Sequence, residues 1–133
     1  MTMLSFAKSV FAGLAVSIAL SQSAMALEMK PYDAAAFKAA QAAGKPILVD
    51  VFAPWCPTCK AQHTVLDGLK SKPEYASITV FQVDFDNQIE ALRALKVNKQ
   101  STLIGFKGTT ETGRSVGSTK ADVIEALLAS TTK

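Results

Sequence analysis

The two cysteines of the chain, Cys56 and Cys59, lie in the segment APWCPTCK at residues 53–60. Two thiols at this spacing can form a structural disulfide, bind a metal ion or exchange disulfides with other molecules. A disulfide stabilises a protein mainly by restricting its unfolded chain, and closing four residues contributes about 2 kcal/mol, against about 4.7 kcal/mol for a hundred residues. The pair is therefore a poor choice for a structural crosslink.

A metal site is the second alternative. Cys56, Cys59 and His63 have the spacing C-x2-C-x3-H, which offers three soft ligands for zinc or copper. The sequence has no second cysteine pair to complete such a site, and Lys60 stands where a c-type haem motif requires histidine. His63 is the only histidine of the chain, and its plainer interpretation is a solvent-facing helix residue.

Redox exchange accounts best for the cysteine pair. Cys56 is predicted at the N-terminus of a helix, where the helix dipole and free N–H groups favour a thiolate. Pro57 suits the first turn, because that position needs no N–H donor. Cys59, one turn further on, is placed to attack a mixed disulfide at Cys56. Lowering the pKa of Cys56 by about two units would make the pair more oxidising by roughly 60 mV.

Length and charge indicate one globular domain without a nucleic-acid partner. The chain has 133 residues, of which 49% are hydrophobic, and 14 Lys and Arg residues face 11 Asp and Glu residues, so the net charge is only +3. No run of like charges forms a basic patch.

The N-terminal segment has the pattern of a secretory signal. Lys8 precedes an apolar run at residues 10–20, and Ala24-Met25-Ala26 fits a small-x-small cleavage site. The run is shorter than the roughly 20 residues that span a bilayer, although an uncleaved anchor is the alternative. We expect a signal peptide at residues 1–26, a domain at residues 27–133 and export, with the periplasm as the expected compartment.

Alternating hydrophobic patterns predict an α/β fold. Four helices are expected: one capped by Asp33 and ended by Gly44, one at 57–69, one at 87–97, and a last one that begins with a Thr119–Asp122 capping box. Four strands alternate with them or follow them, namely a buried strand at 46–53, strands at 77–85 and 101–108, and a short strand at 114–116. The expected apolar faces of the last three helices are Val65, Leu66 and Leu69; Ile89, Leu92 and Leu95; and Val123, Ile124, Leu127 and Leu128. This order predicts a mixed central sheet with helices on both faces.

The segment KPILVDVFAPWCPTCK at residues 45–60 resembles the active-site strand and turn of the thioredoxin family, and a weaker likeness extends over about residues 33–130. The resemblance implies a thioredoxin-like fold and no cofactor beyond the redox-active disulfide Cys56–Cys59. It makes Cys56 the exposed nucleophile and Cys59 the buried resolving thiol. Asp50 matches the family's buried acid, and a proton exchanged with Cys59 would account for a carboxylate in an apolar strand. The residues expected to contact substrate are Trp55, Pro57, Thr58, Ser101 and Thr102.

Two positions depart from the family pattern. Ser101 replaces a cis-proline at the substrate-docking edge. Because a cis bond before a residue other than proline costs about 3 kcal/mol, we expect a trans bond there. Loss of this proline is also associated with metal capture in the family. Gln82 stands where many thioredoxins place a lysine near the buried acid, so the titration of Asp50 is not expected to follow the usual pattern.

The predicted function is that of an exported thiol–disulfide oxidoreductase acting on protein thiols and disulfides. Reduction is favoured over oxidation, because the sequence has no inserted domain of the kind that oxidant-type relatives contain. A membrane thiol:disulfide interchange protein is the expected electron donor, and a monomer is the expected state. The alternatives are a copper- or zinc-binding module using Cys56, Cys59 and His63, and a binding protein that recognises chains at its Ser101 edge without turnover.

Overall fold

A five-stranded mixed sheet organises residues 26–133, the part of the chain that the computed structural model describes. The sheet order is β1-β3-β2-β4-β5, in which β3 pairs in parallel with β1 and β2, whereas β4 pairs antiparallel with β2 and β5. The strands are β1 (Glu28–Pro31), β2 (Pro46–Phe52), β3 (Thr79–Asp84), β4 (Thr102–Lys107) and β5 (Thr110–Val116). The predicted signal peptide falls outside the described residues, apart from its last residue.

Four helices cover the sheet: α1 (Ala34–Ala42), α2 (Pro57–Leu69), α3 (Ile89–Ala94) and α4 (Ala121–Thr131). One apolar core holds Leu66 of α2 and Leu128 of α4, and a separate core holds Phe37 of α1 and Leu92 of α3. The two cores lie on opposite faces of the sheet, so the predicted mixed sheet with helices on both faces is confirmed.

The central strand β2 explains why the two cores are separate. Successive side chains of a strand point to opposite faces, and here Leu48 belongs to the α2–α4 core whereas Val49 belongs to the α1–α3 core. Both side chains are fully buried, which is why the sequence of β2 is almost continuously apolar. The same alternation places Asp50 on the α2–α4 face.

Several predicted boundaries are confirmed and others need correction. Asp33 caps α1, since its Oδ1 accepts a hydrogen bond of 2.7 Å from the N–H of Ala36, and α2 occupies the predicted range. Strand β1 was not predicted, because its sequence EMKP has little apolar character. Strand β5 begins at Thr110 rather than at Arg114, because a tight turn with Gly108 at a φ of 59° lets pairing start at once.

The predicted start of α4 and parts of two apolar faces are wrong. Lys120 occupies the N-cap of α4 without a side-chain cap, and the Oδ1 of Asp122 accepts from the adjacent N–H of Val123, so no capping box forms. Val123 is 36% exposed, and Ile89 is 48% exposed because α3 begins only at that residue. None of the helices in residues 26–133 is long and apolar enough to cross a membrane.

Candidate active site

The cysteine pair lies where the central strand passes into α2. Cys56 is the N-cap of this helix, and Pro57 occupies the first turn. The Sγ of Cys56 accepts a hydrogen bond of 3.1 Å from the backbone N–H of Cys59. A donor aimed at the sulfur, together with the positive end of the helix dipole, stabilises negative charge on it. The predicted placement of Cys56 at a helix N-terminus is confirmed.

Cys56 and Cys59 form a disulfide in which the two Cα atoms lie 5.3 Å apart. Each residue is only 1% exposed, so the expectation of an exposed Cys56 is wrong for the oxidised protein. As the N-cap, Cys56 turns its Sγ back over the helix towards the Cys59 N–H, and this orientation removes the sulfur from solvent. A thiol that reduces the disulfide must therefore displace part of its cover.

Three residues next to the disulfide differ in their exposure to solvent. Trp55 is 57% exposed, Pro57 is exposed and Thr58 is half-buried. The indole Nε1 of Trp55 donates a hydrogen bond of 2.9 Å to Asp86 Oδ2, which orients the ring. Asp86 was not predicted as part of the site, because it follows β3 and meets Trp55 only in the folded chain.

Asp50 is a fully buried carboxyl residue inside β2, five residues into a seven-residue strand. Its Oδ2 lies 2.6 Å from His63 Nε2 and accepts a longer hydrogen bond of 3.4 Å from Gln82 Nε2. Its Oδ1 has no hydrogen-bond partner among the described residues. The predicted burial of Asp50 is confirmed, and the histidine partner is a new feature of the site.

His63 is not the solvent-facing residue expected from the sequence. Its side chain is 28% exposed and lies against β2, with its ring 6.0 Å from the ring of Phe52. The hydrogen bond and the charge of Asp50, with a further contribution from Asp67, raise the pKa of His63 above its ordinary value of 6.5, although partial burial opposes this shift. The sequence did contain a signal for this placement. His63 follows Cys59 by four residues, a spacing that puts it on the buried side of α2.

The geometry gives no support to the metal alternative. The Nε2 atom of His63 is occupied by Asp50 and the two sulfurs are bonded to each other. Residues 26–133 contain no group of three or more His, Cys, Asp or Glu side chains arranged to hold a metal ion.

The loop that contains Ser101 has the trans bond that we predicted, since residues 26–133 contain no cis peptide. Ser101 adopts a φ of 56°, in the left-handed region that residues other than glycine seldom occupy. Ser101 and Thr102 are both buried, and their hydroxyls donate to the loop carbonyls of Gln100 and Lys99. A substrate contact by these two residues stays a prediction.

Gln62 connects α2 with this loop. Its fully buried Nε2 donates to the carbonyl oxygens of Ser101 at 3.0 Å and Ser118 at 2.9 Å. Sequence reasoning missed Gln62, although its spacing with Cys59, Leu66 and Leu69 places it on the buried face of the helix.

The thioredoxin family model matches residues 28–130, almost all of the described chain. The chain belongs to the thioredoxin family. It is 35% identical to the thioredoxin of Chlamydia trachomatis over 82 residues, which cover 62% of this chain and 78% of that protein. A shorter likeness, 41% identity over 54 residues, relates 40% of the chain to 28% of the thiol:disulfide interchange protein DsbE of Pasteurella multocida.

Solved structures agree with the family assignment. The crystal structure of Trxlp from Edwardsiella tarda superimposes with a TM-score of 0.73 at 44% identity, over 76% of this chain and 98% of that one. The fold is therefore thioredoxin-like, and with its Cys56–Cys59 disulfide the chain is a thiol–disulfide oxidoreductase of the thioredoxin type.

The Asp50–His63 contact predicts a pH-dependent stability. Because folding raises the pKa of His63, its contribution is fully present below about pH 6.5 and is lost as the pH rises through the folded value. Urea unfolding of the oxidised protein should therefore show a free energy of unfolding that falls above pH 6.5, and His63→Gln should remove this fall. The neighbouring variant Thr64→Ala should keep it. Equal pH dependence in wild type and His63→Gln would contradict the prediction.

Proposed function

We propose that the protein is an exported reductase of protein disulfides that uses Cys56 as nucleophile and Cys59 as resolving thiol. The observation that supports these roles is the disulfide at the N-terminus of α2, with the Cys59 N–H directed at the Cys56 sulfur. This donor favours the thiolate at Cys56 over the thiolate at Cys59.

The proposed reaction transfers two electrons from the dithiol to the substrate. The Cys56 thiolate attacks one sulfur of the substrate disulfide, forms a mixed disulfide and releases the first substrate thiolate. Cys59 then loses its proton and attacks the Cys56 sulfur. The Cys56–Cys59 bond forms as the mixed disulfide breaks, and the second substrate thiolate leaves and takes a proton from water. Cys56 and Cys59 are oxidised, and the substrate is reduced.

In this scheme Asp50 accepts the proton of Cys59. It is buried on the face of β2 that α2 covers, and the next residue, Val51, has its carbonyl oxygen 4.0 Å from the Cys59 sulfur. Substrate would lie against the exposed Trp55 and Pro57, beside Thr58. The loop of Ser101 and Thr102 forms the proposed second side of the docking edge.

The reducing direction and the electron donor rest on sequence features. Between β2 and β4 the described chain contains α2, one short 3-10 turn, β3 and α3, without the inserted domain of oxidant-type relatives. A reductase outside the cytosol needs electrons from the inside, and we propose a membrane thiol:disulfide interchange protein as their source. A monomer is the expected state of the protein.

Serine variants test the roles of the two cysteines. Cys56→Ser should lower the rate of insulin disulfide reduction to the background rate. The nucleophile in disulfide exchange is a thiolate, and the serine hydroxyl cannot replace it near neutral pH. Cys59→Ser should instead form a mixed disulfide with substrate that persists, since the resolving thiol is absent. Non-reducing gels and mass spectrometry distinguish the two products, and Thr64→Ala serves as the unchanged control. Wild-type turnover by Cys56→Ser would disprove the assignment.

The reduction potential tests the direction. Equilibration of the pair with glutathione and dithiothreitol buffers should give a value near or below about −270 mV, the value of thioredoxin. Such a value would let the protein donate electrons to disulfides of higher potential, such as strained or exposed disulfides of exported proteins. A potential near −120 mV, as in a strong oxidant, would reverse the proposed direction.

Processing of the N-terminus tests export. In a bacterium with a periplasm, the protein should appear in the periplasmic fraction with Leu27 as its first residue, determined by mass spectrometry. Ala26→Arg should block cleavage, because the cleavage site requires a small residue there. The matched control Met25→Arg adds the same charge at the permissive middle position and should still be processed. Recovery of the uncleaved chain from the cytosol would contradict export.

A further inference from the structure

His63 lies between the buried carboxylate of Asp50 and solvent. Its Nε2 atom lies 2.6 Å from Asp50 Oδ2, and its side chain is 28% exposed whereas that of Asp50 is 0% exposed. His63 also follows Cys59 by four residues on α2, a spacing that makes the two side chains neighbours on one helix face. The imidazole therefore contacts the acid, lies on the same helix face as the resolving cysteine and is partly exposed to solvent.

The proposed reaction creates a need for such a group. Cys59 is 1% exposed, and its proton must leave before its sulfur can attack Cys56. A thiolate and a carboxylate buried together would place two negative charges in an apolar environment, which is costly without a compensating change. Asp50 can take the thiol proton, because its Oδ1 has no partner among the described residues. A proton on Oδ1 then removes the negative charge that Oδ2 presents to His63.

We propose that His63 is a positioning residue that couples the deprotonation of Cys59 to proton release into solvent, acting through Asp50. This proposal rests on the proposed roles of Cys59 and Asp50. Before the step, the thiol is neutral, Asp50 is a carboxylate and His63 is an imidazolium. As Asp50 Oδ1 takes the thiol proton, His63 releases its Nδ1 proton to water and keeps Nε2–H as a donor to Oδ2.

The charges balance in both directions. One negative charge moves from Asp50 to the Cys59 sulfur. The positive charge of His63 leaves as a solvated proton. This released proton balances the proton that the departing substrate thiolate takes from water. Once the disulfide has formed and the charge on Cys59 is gone, Asp50 gives up its proton and His63 regains one at Nδ1, so the oxidised protein again has the ion pair. When a donor later reduces the disulfide, Cys59 leaves as a thiolate and takes a proton through Asp50, which receives it from His63. His63 then takes a proton from water, and the ion pair with Asp50 is restored.

The groups around His63 favour this coupling. Asp50 faces it from β2, and Asp67 lies one turn further along α2; both raise the pKa of His63. Lys60, one turn before His63, is exposed. From β3 the neutral amide of Gln82 donates to Asp50 at 3.4 Å, and from β2 the uncharged Phe52 ring lies 6.0 Å from the His63 ring. These contacts therefore favour the imidazolium form of His63 next to Asp50.

Rapid-mixing kinetics with His63→Gln test the proposal, because glutamine keeps a donor beside Asp50 but cannot release a proton. Reduced protein is mixed with a model peptide disulfide over about pH 5.5 to 9, and the single tryptophan, Trp55, reports each step. We expect the attack of Cys59 on the mixed disulfide to slow by about tenfold near pH 7 and to lose one inflection of its pH profile. Formation of the mixed disulfide, measured in a Cys59→Ser background, should change less than about twofold.

The outcomes separate a proton role from a structural one. An unchanged pH profile of the second step in His63→Gln would overturn the proposal, and so would an equal slowing of both steps. Thr64→Ala, at the exposed position next to His63, is the matched control and should behave as wild type. Exchange that proceeds without Cys56 would instead overturn the proposed function, so the two failures are distinguishable.

A second measurement uses the wild-type protein and does not depend on the folding of a variant. His63 is the only histidine, so its ring signals in NMR spectra need no assignment by mutation. In the reduced protein these signals should titrate in two steps, one from His63 itself and one from Cys59 acting through Asp50. The oxidised protein and reduced Cys59→Ser should show one step. A single step in all three samples would overturn the coupling.

Discussion

Asp50 lies fully buried in the central strand β2, with β3 on one side and β4 on the other. A carboxylate in such an apolar environment costs several kcal/mol unless a partner compensates its charge. Here the compensation comes from α2, which begins at the cysteines and passes over β2 so that His63 reaches Oδ2 at 2.6 Å. The position of α2 therefore satisfies two requirements together, the placement of the disulfide at a helix N-terminus and the neutralisation of the acid beneath it.

The strand-to-helix junction was predictable because its signals are local. A continuous apolar run indicates a strand buried on both faces, and a proline directly after Cys56 indicates a first helical turn. Both features depend on residues within a few positions of one another, so tertiary contacts did not alter them. Strand β1 shows the opposite case: EMKP pairs with β3 only because the folded sheet offers a free edge there.

His63 and Gln62 could not be placed from sequence for a related reason. Asp50 and His63 are 13 residues apart, and Gln62 and Ser101 are 39 residues apart. Both contacts depend on the distance and angle between α2 and the sheet, which large apolar residues such as Leu66 determine through packing. The polar residue types were visible on the buried helix face, but their partners were not.

The Ser101 loop shows how the chain holds this edge without a proline. A left-handed conformation at a residue other than glycine costs about 1 kcal/mol or more and persists only where the surroundings hold it. Ser101 N–H donates to Val51, and its carbonyl oxygen accepts from both Gln62 and Gly117.

A carbonyl oxygen has two lone pairs, so both acceptor sites of Ser101 are used within the protein, and its only backbone donor is used as well. A substrate chain that docks along this edge must therefore form its backbone hydrogen bonds with other residues. Because Gln62 and His63 are adjacent on α2, the same helical turn positions the Ser101 loop and the partner of Asp50. The loop and the acid beneath the disulfide are therefore both positioned by the turn that follows Cys59.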